Sequence, residues 1–189
     1  SISALVPVLS AGDNSVKVNV NNVDSNALTF TILSPTTGTK PLISYIDPSQ
    51  GPAGQYITIF GSNFGATAGT VEFLKSDGTK AIGDTNFPAV CSAIEYWQNT
   101  SITIKVPATF SDGSSTKGIA TSLQIKRYDA TLSNAISFSI NSNNPTPGIC
   151  GLKPNNGPIG TSAQVLGERF GTAGSVTFYN KVAGTASAW

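Results

Sequence analysis

The chain contains 189 residues, of which only 11% are charged, and its formal net charge is +1. A nearly neutral chain without blocks of like charge has little with which to attract phosphates, which argues against nucleic acid as a partner. No apolar run reaches the roughly 18 residues that a membrane span requires, so membrane insertion is not expected.

In chain order, the predicted elements are short strands. Apolar and polar residues alternate over 56–60, 102–106, 123–126 and 136–140, and this period of two predicts strands with one buried face. Glycine (19 residues) and proline (11 residues) punctuate these runs, as many turns require. No segment keeps a period of 3.6 residues, so almost no helix is expected and the predicted fold class is all-β.

The chain also repeats itself. Residues 43–73 resemble residues 149–178, and most of the matching positions are glycine, proline or phenylalanine. They are Pro48, Gly51, Pro52, Gly54, Gly61, Phe64 and Gly65 in the first segment, and Pro154, Gly157, Pro158, Gly160, Gly167, Phe170 and Gly171 in the second. This density of matches is not explained by composition and indicates an internal repeat.

A second pair of similarities covers the other half of the repeating unit. Residues 1–7 match residues 101–107, and residues 25–32 match residues 133–140. The period of about 100 residues is far longer than that of a solenoid and corresponds to one β-sandwich per repeat.

These residues carry a family resemblance. The sequence contains a Pro-Ser/Asn-x-Gly-Pro-x-Gly turn, then Gly-x-x-Phe-Gly and Gly-x-Val-x-Phe, later a tryptophan, and the complete copy closes on Ser-Asn-x-x-x-Phe-x-Ile. The pattern resembles the IPT/TIG family and implies tandem immunoglobulin-like β-sandwiches. The family's modules occur in bacterial surface proteins, polysaccharide-acting enzymes, plexin-type receptors and Rel-type transcription factors, so the resemblance says little about function.

Aligned on this family, the chain is predicted to hold two half repeats around a whole one. The C-terminal half of an IPT/TIG repeat is expected at 1–34, a complete repeat at 41–141, and the N-terminal half of a further repeat at 148–189. A half sandwich exposes strand edges and an open apolar face, so each half needs a complement. Two alternatives stay open: neighbouring chains complete each other head to tail, or the chain is a window on a longer array.

Cys91 and Cys150 are the two cysteines of the chain. If the strands alternate up and down, Cys91 lies at the end of the repeat from which the chain continues towards Cys150, and a disulfide would clamp the junction. Such a bond, with the turn-rich composition, predicts an extracellular location. The alternative is a pair of unrelated buried thiols.

Trp97 and Trp189 occupy equivalent positions in their repeats. With Tyr96 or Tyr45 nearby, they form either an exposed platform for stacking on sugar rings or packing residues at the edge of the core. Histidine is absent, and the acidic residues show neither calcium-loop spacing nor a pairing pattern, so no metal, cofactor or catalytic site is predicted.

The sequence therefore predicts a non-enzymatic structural module of an extracellular stalk or filament, whose partners are copies of itself or adjacent repeats. The alternative is a carbohydrate-binding or accessory domain of a secreted polysaccharide-acting enzyme or adhesin, with carbohydrate as its partner. A binding module should place two or three aromatic rings in one plane on an exposed face. A stalk should bury its aromatic residues and use its surface for contacts between repeats.

Overall fold

The computed structural model divides into two compact units, Ser1–Thr39 and Lys40–Trp189. The residues that the structure describes are 2, 12–32, 39–178 and 181–182. Within these residues, no helix is long and apolar enough to cross a membrane.

The described part of the first unit is a long β-hairpin. Its strands are β1 (Gly12–Val16), β2 (Asn19–Val20), β3 (Val23–Asp24) and β4 (Leu28–Ile32). β1 pairs antiparallel with β4, and the short strands β2 and β3 pair with each other near the tip.

The second unit begins with a complete two-layered sandwich. Its strands are β5 (Leu42–Asp47), β6 (Gln50–Pro52), β7 (Tyr56–Ser62), β8 (Thr70–Leu74), β9 (Lys80–Ile82), β10 (Ser101–Lys105), β11 (Ile119–Lys126) and β12 (Leu132–Asn141). One sheet has the order β10-β7-β5 and the other β6-β12-β11-β8-β9. Within both sheets, neighbouring strands run antiparallel, except that β6 and β12 run parallel. A 3-10 helix, η1 (Ala89–Cys91), lies between β9 and β10.

The two sheets bury one face each against the other. The side chains at the centre are 0 to 1% exposed: Ile57, Ile59, Ile102 and Ile104 from the three-stranded sheet, and Phe73, Leu123, Ile125, Phe138 and Ile140 from the five-stranded sheet. Burial of each such side chain stabilises the fold by roughly 1.5 to 3 kcal/mol. The predicted all-β fold is confirmed, and the four strands expected from alternation overlap β7, β10, β11 and β12.

The remaining strands repeat the beginning of this sandwich. They are β13 (Gly148–Lys153), β14 (Gln164–Glu168), β15 (Thr177–Phe178) and β16 (Lys181–Val182). β13 pairs antiparallel with β14 and is irregular between Ile149 and Gly151, just as β5 is irregular between Ile43 and Tyr45.

Two glycines show that this similarity extends to atomic contacts. A Cβ on Gly61 would lie 1.9 Å from the carbonyl oxygen of Leu42, and one on Gly167 would lie 2.0 Å from that of Gly148. Only glycine permits such a close approach of two backbones. β13 and β14 therefore repeat β5 and β7, while the predicted bounds of the half repeats include residues outside the described part and stay a prediction.

Candidate functional site

The most developed site of the molecule is the junction between the complete sandwich and β13–β14. Cys91, at the end of η1, and Cys150, on β13, form a disulfide with an S–S distance of 2.04 Å. Both cysteines are buried, and Tyr56 shares their small apolar cluster. The predicted disulfide is thus present, and the alternative of two unrelated thiols is wrong.

β13 lies directly against the complete sandwich at this junction. A Cβ on Gly148 would lie 2.1 Å from the ring of Tyr56, so the absence of a side chain brings the strand onto the aromatic ring. Tyr56 also contacts the ring of Phe87, with 5.8 Å between the ring centroids. The packing of β13 therefore depends on a glycine that meets an aromatic residue of the neighbouring repeat.

Arg169 joins the two repeats with a fork of hydrogen bonds. Its Nε donates to the carbonyl oxygen of Thr146 at 3.0 Å, and its Nη2 donates to that of Gly54 at 3.0 Å. The guanidinium carbon lies 5.6 Å from the centroid of the Tyr56 ring, close enough for a cation–π contact. The side chain that directly follows β14 thus binds both the linker between β12 and β13 (residues 142–147) and a turn of the complete sandwich.

Gln55 secures the linker from the other side. Its side chain is buried, its Oε1 accepts hydrogen bonds from the Thr146 amide (2.8 Å) and hydroxyl (2.9 Å), and its Nε2 donates to the carbonyl oxygen of Tyr56. Thr146 is consequently held through its amide, its hydroxyl and its carbonyl group. Such a satisfied buried network favours one orientation of the linker.

The junction also perturbs an ionisable group. The Tyr56 hydroxyl is buried, and it has no hydrogen-bond partner within the described residues. Burial, followed by the neighbouring Glu168 carboxylate, raises the pKa of Tyr56 to about 12. The folded protein therefore favours the neutral phenol well above the pH at which an exposed tyrosine ionises.

A pH-dependent stability difference follows for Tyr56. In the unfolded chain the phenol ionises near pH 10, whereas in the folded chain it stays neutral, so wild-type stability falls as pH rises from about 10 towards 12. Tyr56→Phe removes this loss, so urea midpoints measured across that range should shift increasingly in favour of the variant. Tyr128→Phe, at a side chain 70% exposed, is the matched control and should follow the wild type. A difference in urea midpoint between Tyr56→Phe and wild type that stays constant across this pH range would contradict the raised pKa of Tyr56.

Of the residues named for the aromatic platform, Trp97 is buried and Tyr96 is only partly exposed. Trp97 is 4% exposed, and its Nε1 donates a hydrogen bond to the carbonyl oxygen of Phe64 at 3.3 Å. Tyr96 is half-buried and lies at a tilted angle to the ring of Phe87. Trp189 lies outside the described residues. Trp97 therefore belongs to the core, because its indole fills the space between the sheets and offers no face to a ligand.

Tyr45, expected as a possible neighbour of the platform, forms an exposed pair with Phe60 that sequence reasoning missed. Tyr45, on β5, and Phe60, on β7, stack with 4.6 Å between ring centroids and 17° between ring planes. Tyr45 is 54% exposed on the outer face of the three-stranded sheet. The rings lie face to face rather than side by side, so the two rings do not form one flat surface. Their pairing depends on the irregularity in β5 after Ile43, which sequence alternation alone does not reveal.

An open depression of about 620 Å³ lies beside β9 and the residues that follow β10. Its ionisable side chain is Asp84, whose carboxylate lies 3.3 Å from the Nζ of Lys105. Within the described part of the chain, no group of three or more His, Cys, Asp or Glu side chains is arranged to hold a metal ion. A single carboxylate does not make up the pair of carboxyl groups that most glycoside hydrolases use.

The fold defines an immunoglobulin-like β-sandwich module, followed by two strands, β13 and β14, that repeat the pairing of its β5 and β7. The family model of the IPT/TIG domain matches residues 41–140, and the chain belongs to this family. The resemblance expected from the glycine, proline and phenylalanine pattern is thereby confirmed.

The relatives that this chain matches are larger proteins. A cyclomaltodextrin glucanotransferase from Bacillus sp. (strain 17-1) is 38% identical over 73 residues, which are 39% of this chain and 9% of that protein. Another, from Bacillus sp. (strain 1-1), is 30% identical over 142 residues, 71% of this chain and 17% of that protein. The crystal structure of a Gamma-CGTase from alkalophilic Bacillus clarkii matches 60% of this chain and 15% of its own, at 23% identity and a TM-score of 0.41. This chain spans less than a fifth of each of these proteins.

Proposed function

We propose that this chain is a non-catalytic accessory module of a larger carbohydrate-acting protein, and that it acts there as a rigid spacer between neighbouring domains. Its family and its similarity to cyclomaltodextrin glucanotransferases support the accessory role, and they favour it over the stalk or filament expected from the sequence. The observation that carries the spacer role is the junction, where the Cys91–Cys150 disulfide secures β13 to the complete sandwich.

The junction has the properties that a spacer needs. A disulfide, a glycine packed on the Tyr56 ring and the hydrogen bonds of Gln55 and Arg169 act at separate points of one interface. A hinge would require that most of these contacts break together, so their combination opposes bending between the repeats. Disulfides persist in oxidising compartments, which supports an extracellular setting for the parent protein.

Carbohydrate binding is the second candidate role, and the exposed Tyr45–Phe60 stack favours it. The exposed ring of Tyr45 could pack on one sugar ring, and Asp47 and Thr58 form the next cross-strand pair on the same face of the sheet. The described residues do not, however, place two or three aromatic rings side by side on this face. Spacing without sugar binding is therefore the role that we assign to the module.

Amide nitrogen relaxation measured by NMR tests the spacer. Residues 42–141 and 148–168 should report the same rotational correlation time, because the junction makes them one body. Faster, independent tumbling of 148–168 would refute the rigid spacer. Reduced protein serves as the comparison, since loss of the disulfide should increase the mobility of 148–168.

Affinity electrophoresis in soluble starch, with cyclomaltodextrin as competitor, tests the second role. We expect no retardation of the wild-type chain. Retardation that is abolished by Tyr45→Ala but kept by the exposed control Tyr128→Ala would instead establish a sugar-binding site at the Tyr45–Phe60 stack. The two measurements are independent, so a failure of one role leaves the other measurable.

A further inference from the structure

The chain enters the complete sandwich at one end and leaves it at the other. β5 is its first strand and β12 its last, and the two begin side by side. Oδ1 of Asn134 accepts a hydrogen bond from the Ile43 amide at 2.7 Å, and Nδ2 donates to the Ile43 carbonyl oxygen at 3.0 Å. β12 ends beside the end of β6, where Asn141 is the register partner of Pro52. The parts of the chain before and after this sandwich therefore join it at opposite ends of its strands.

A pull on these two parts of the chain acts along the strands. It draws β5 and β6 towards one end of the sandwich and β12 towards the other. β6 pairs in parallel with β12, and β5 pairs antiparallel with β7. Hydrogen bonds between strands run across the strand direction, so a force along the strands loads all the bonds of a pair together. The first and last strands are thus paired in the orientation that resists extension.

The Cys91–Cys150 disulfide gives the sandwich a second covalent exit. Cys91 precedes β10, and Cys150 lies on β13, beyond the last strand of the sandwich. The shortest covalent path from β5 to β13 therefore runs through β5 to β9 and η1 and then crosses the disulfide. β10, β11 and β12 lie between the two cysteines, so tension cannot extend them while the bond is intact.

This covalent path limits how far the sandwich can lengthen. A fully extended chain spans about 3.5 Å per residue, so residues 42–91 reach roughly 17 nm. Removal of the bond adds the sequence separation of 59 between the cysteines, which corresponds to about 20 nm of extended chain. The intact disulfide therefore withholds more than half of the length that the unfolded sandwich could otherwise reach.

We propose that the complete sandwich is a tension-bearing link between its neighbouring domains. The contacts of β5 and β6 with β7 and β12 carry the load, and the Cys91–Cys150 disulfide limits the extension once these contacts part. The inference rests on the proposed function only in that the module joins two neighbours. It does not require a rigid junction, because the load path lies within the complete sandwich and the disulfide.

Two hydrogen-bonding side chains separate the effect of load from that of overall stability. Asn134 joins β12 to β5, which tension pulls in opposite directions. Thr121 donates from its Oγ1 to the carbonyl oxygen of Phe138 at 2.9 Å, and so joins β11 to β12. These two strands stay together when β5 and β6 are drawn away. Loss of either side chain weakens the fold, but only the loss of Asn134 removes bonds from the loaded contacts.

Optical tweezers that hold the full 189-residue chain by peptide tags at its two ends test the limit on extension. We expect the unfolding step of the wild-type sandwich to be about 20 nm shorter than that of the Cys91→Ala/Cys150→Ala variant. Wild type unfolded in a thiol reductant gives the same comparison without a substitution, and it should gain about 20 nm once the bond breaks. Steps of equal length with and without the disulfide would overturn the proposal.

Lifetimes at constant force test the load path, because forced unfolding follows the unfolding rate. Asn134→Ala should unfold roughly 10-fold faster than wild type through the loss of its two hydrogen bonds to β5. Thr121→Val should lower the urea midpoint yet keep the wild-type lifetime under force. An Asn134→Ala lifetime equal to that of wild type would overturn the proposal, as would an equal shortening by Thr121→Val. A flexible junction in the relaxation measurement would refute the rigid spacer and leave both of these results unaffected.

Discussion

Removal of the Cys91–Cys150 cross-link is expected to lower the free energy of unfolding of the second unit by about 4 kcal/mol, since the disulfide closes a loop that spans a sequence separation of 59. The effect comes mainly from the unfolded chain, which gains conformational freedom once the bond is absent. β10 of the three-stranded sheet and β11 and β12 of the five-stranded sheet lie inside this loop, so the bond constrains strands of both sheets as well as the junction.

Urea unfolding of the Cys91→Ala/Cys150→Ala double variant measures this effect. The fluorescence of the buried Trp97 reports the unfolding transition. Wild-type protein in reductant is the comparison that separates the cross-link from the loss of two buried sulfur atoms. Hydrogen exchange should locate the earliest loss of protection in β13 and β14, because the cross-link that the variant lacks ties β13 to η1 of the complete sandwich. A loss below about 1 kcal/mol would mean that the hydrogen bonds of Arg169 and Gln55, not the disulfide, secure the junction.

The sequence predicted features that depend on local pattern and on the direction of the strands. Alternation identified Ile57 and Ile59 as one face of a strand, and both are in the core. The expected up-and-down course of the chain brought Cys91 towards Cys150, and the structure joins them. Such features are predictable because a period of two and a reversal at each turn leave few other arrangements.

Other features depend on contacts between repeats, which a single strand pattern does not contain. Alternation groups Tyr56 with Thr58 and Phe60 on one face of the strand, yet it does not reveal that Tyr56 is buried because Gly148 of the next repeat packs on its ring. Arg169 stands where the complete copy has Asn63, and both have left-handed backbone conformations with φ near 60°. Nothing in the sequence indicates that the arginine at this position reaches back to the linker.

The aromatic residues show the same limit. Alignment of the two repeats gives Trp97 a counterpart, but it does not tell whether the indole faces solvent or core, since both uses suit an aromatic residue. The structure buries Trp97 and exposes Tyr45 instead. Whether each of these side chains is exposed depends on which face of a sheet it occupies and on what packs against that face, not on its residue type.

Phe138 and Phe30 allow a direct comparison of one motif position in two environments. Phe138→Ala is expected to destabilise the complete sandwich by about 4 kcal/mol, because the side chain is 1% exposed and packs edge-on against Phe73 with 5.5 Å between centroids. Phe30→Ala removes the same atoms from a side chain 46% exposed and should cost the hairpin less than about 1 kcal/mol in dilute monomer. Amide hydrogen exchange in β12 and β4 reports the two free energies separately. Equal losses would show that Phe30 is packed as tightly as Phe138, and would contradict the difference in their exposure.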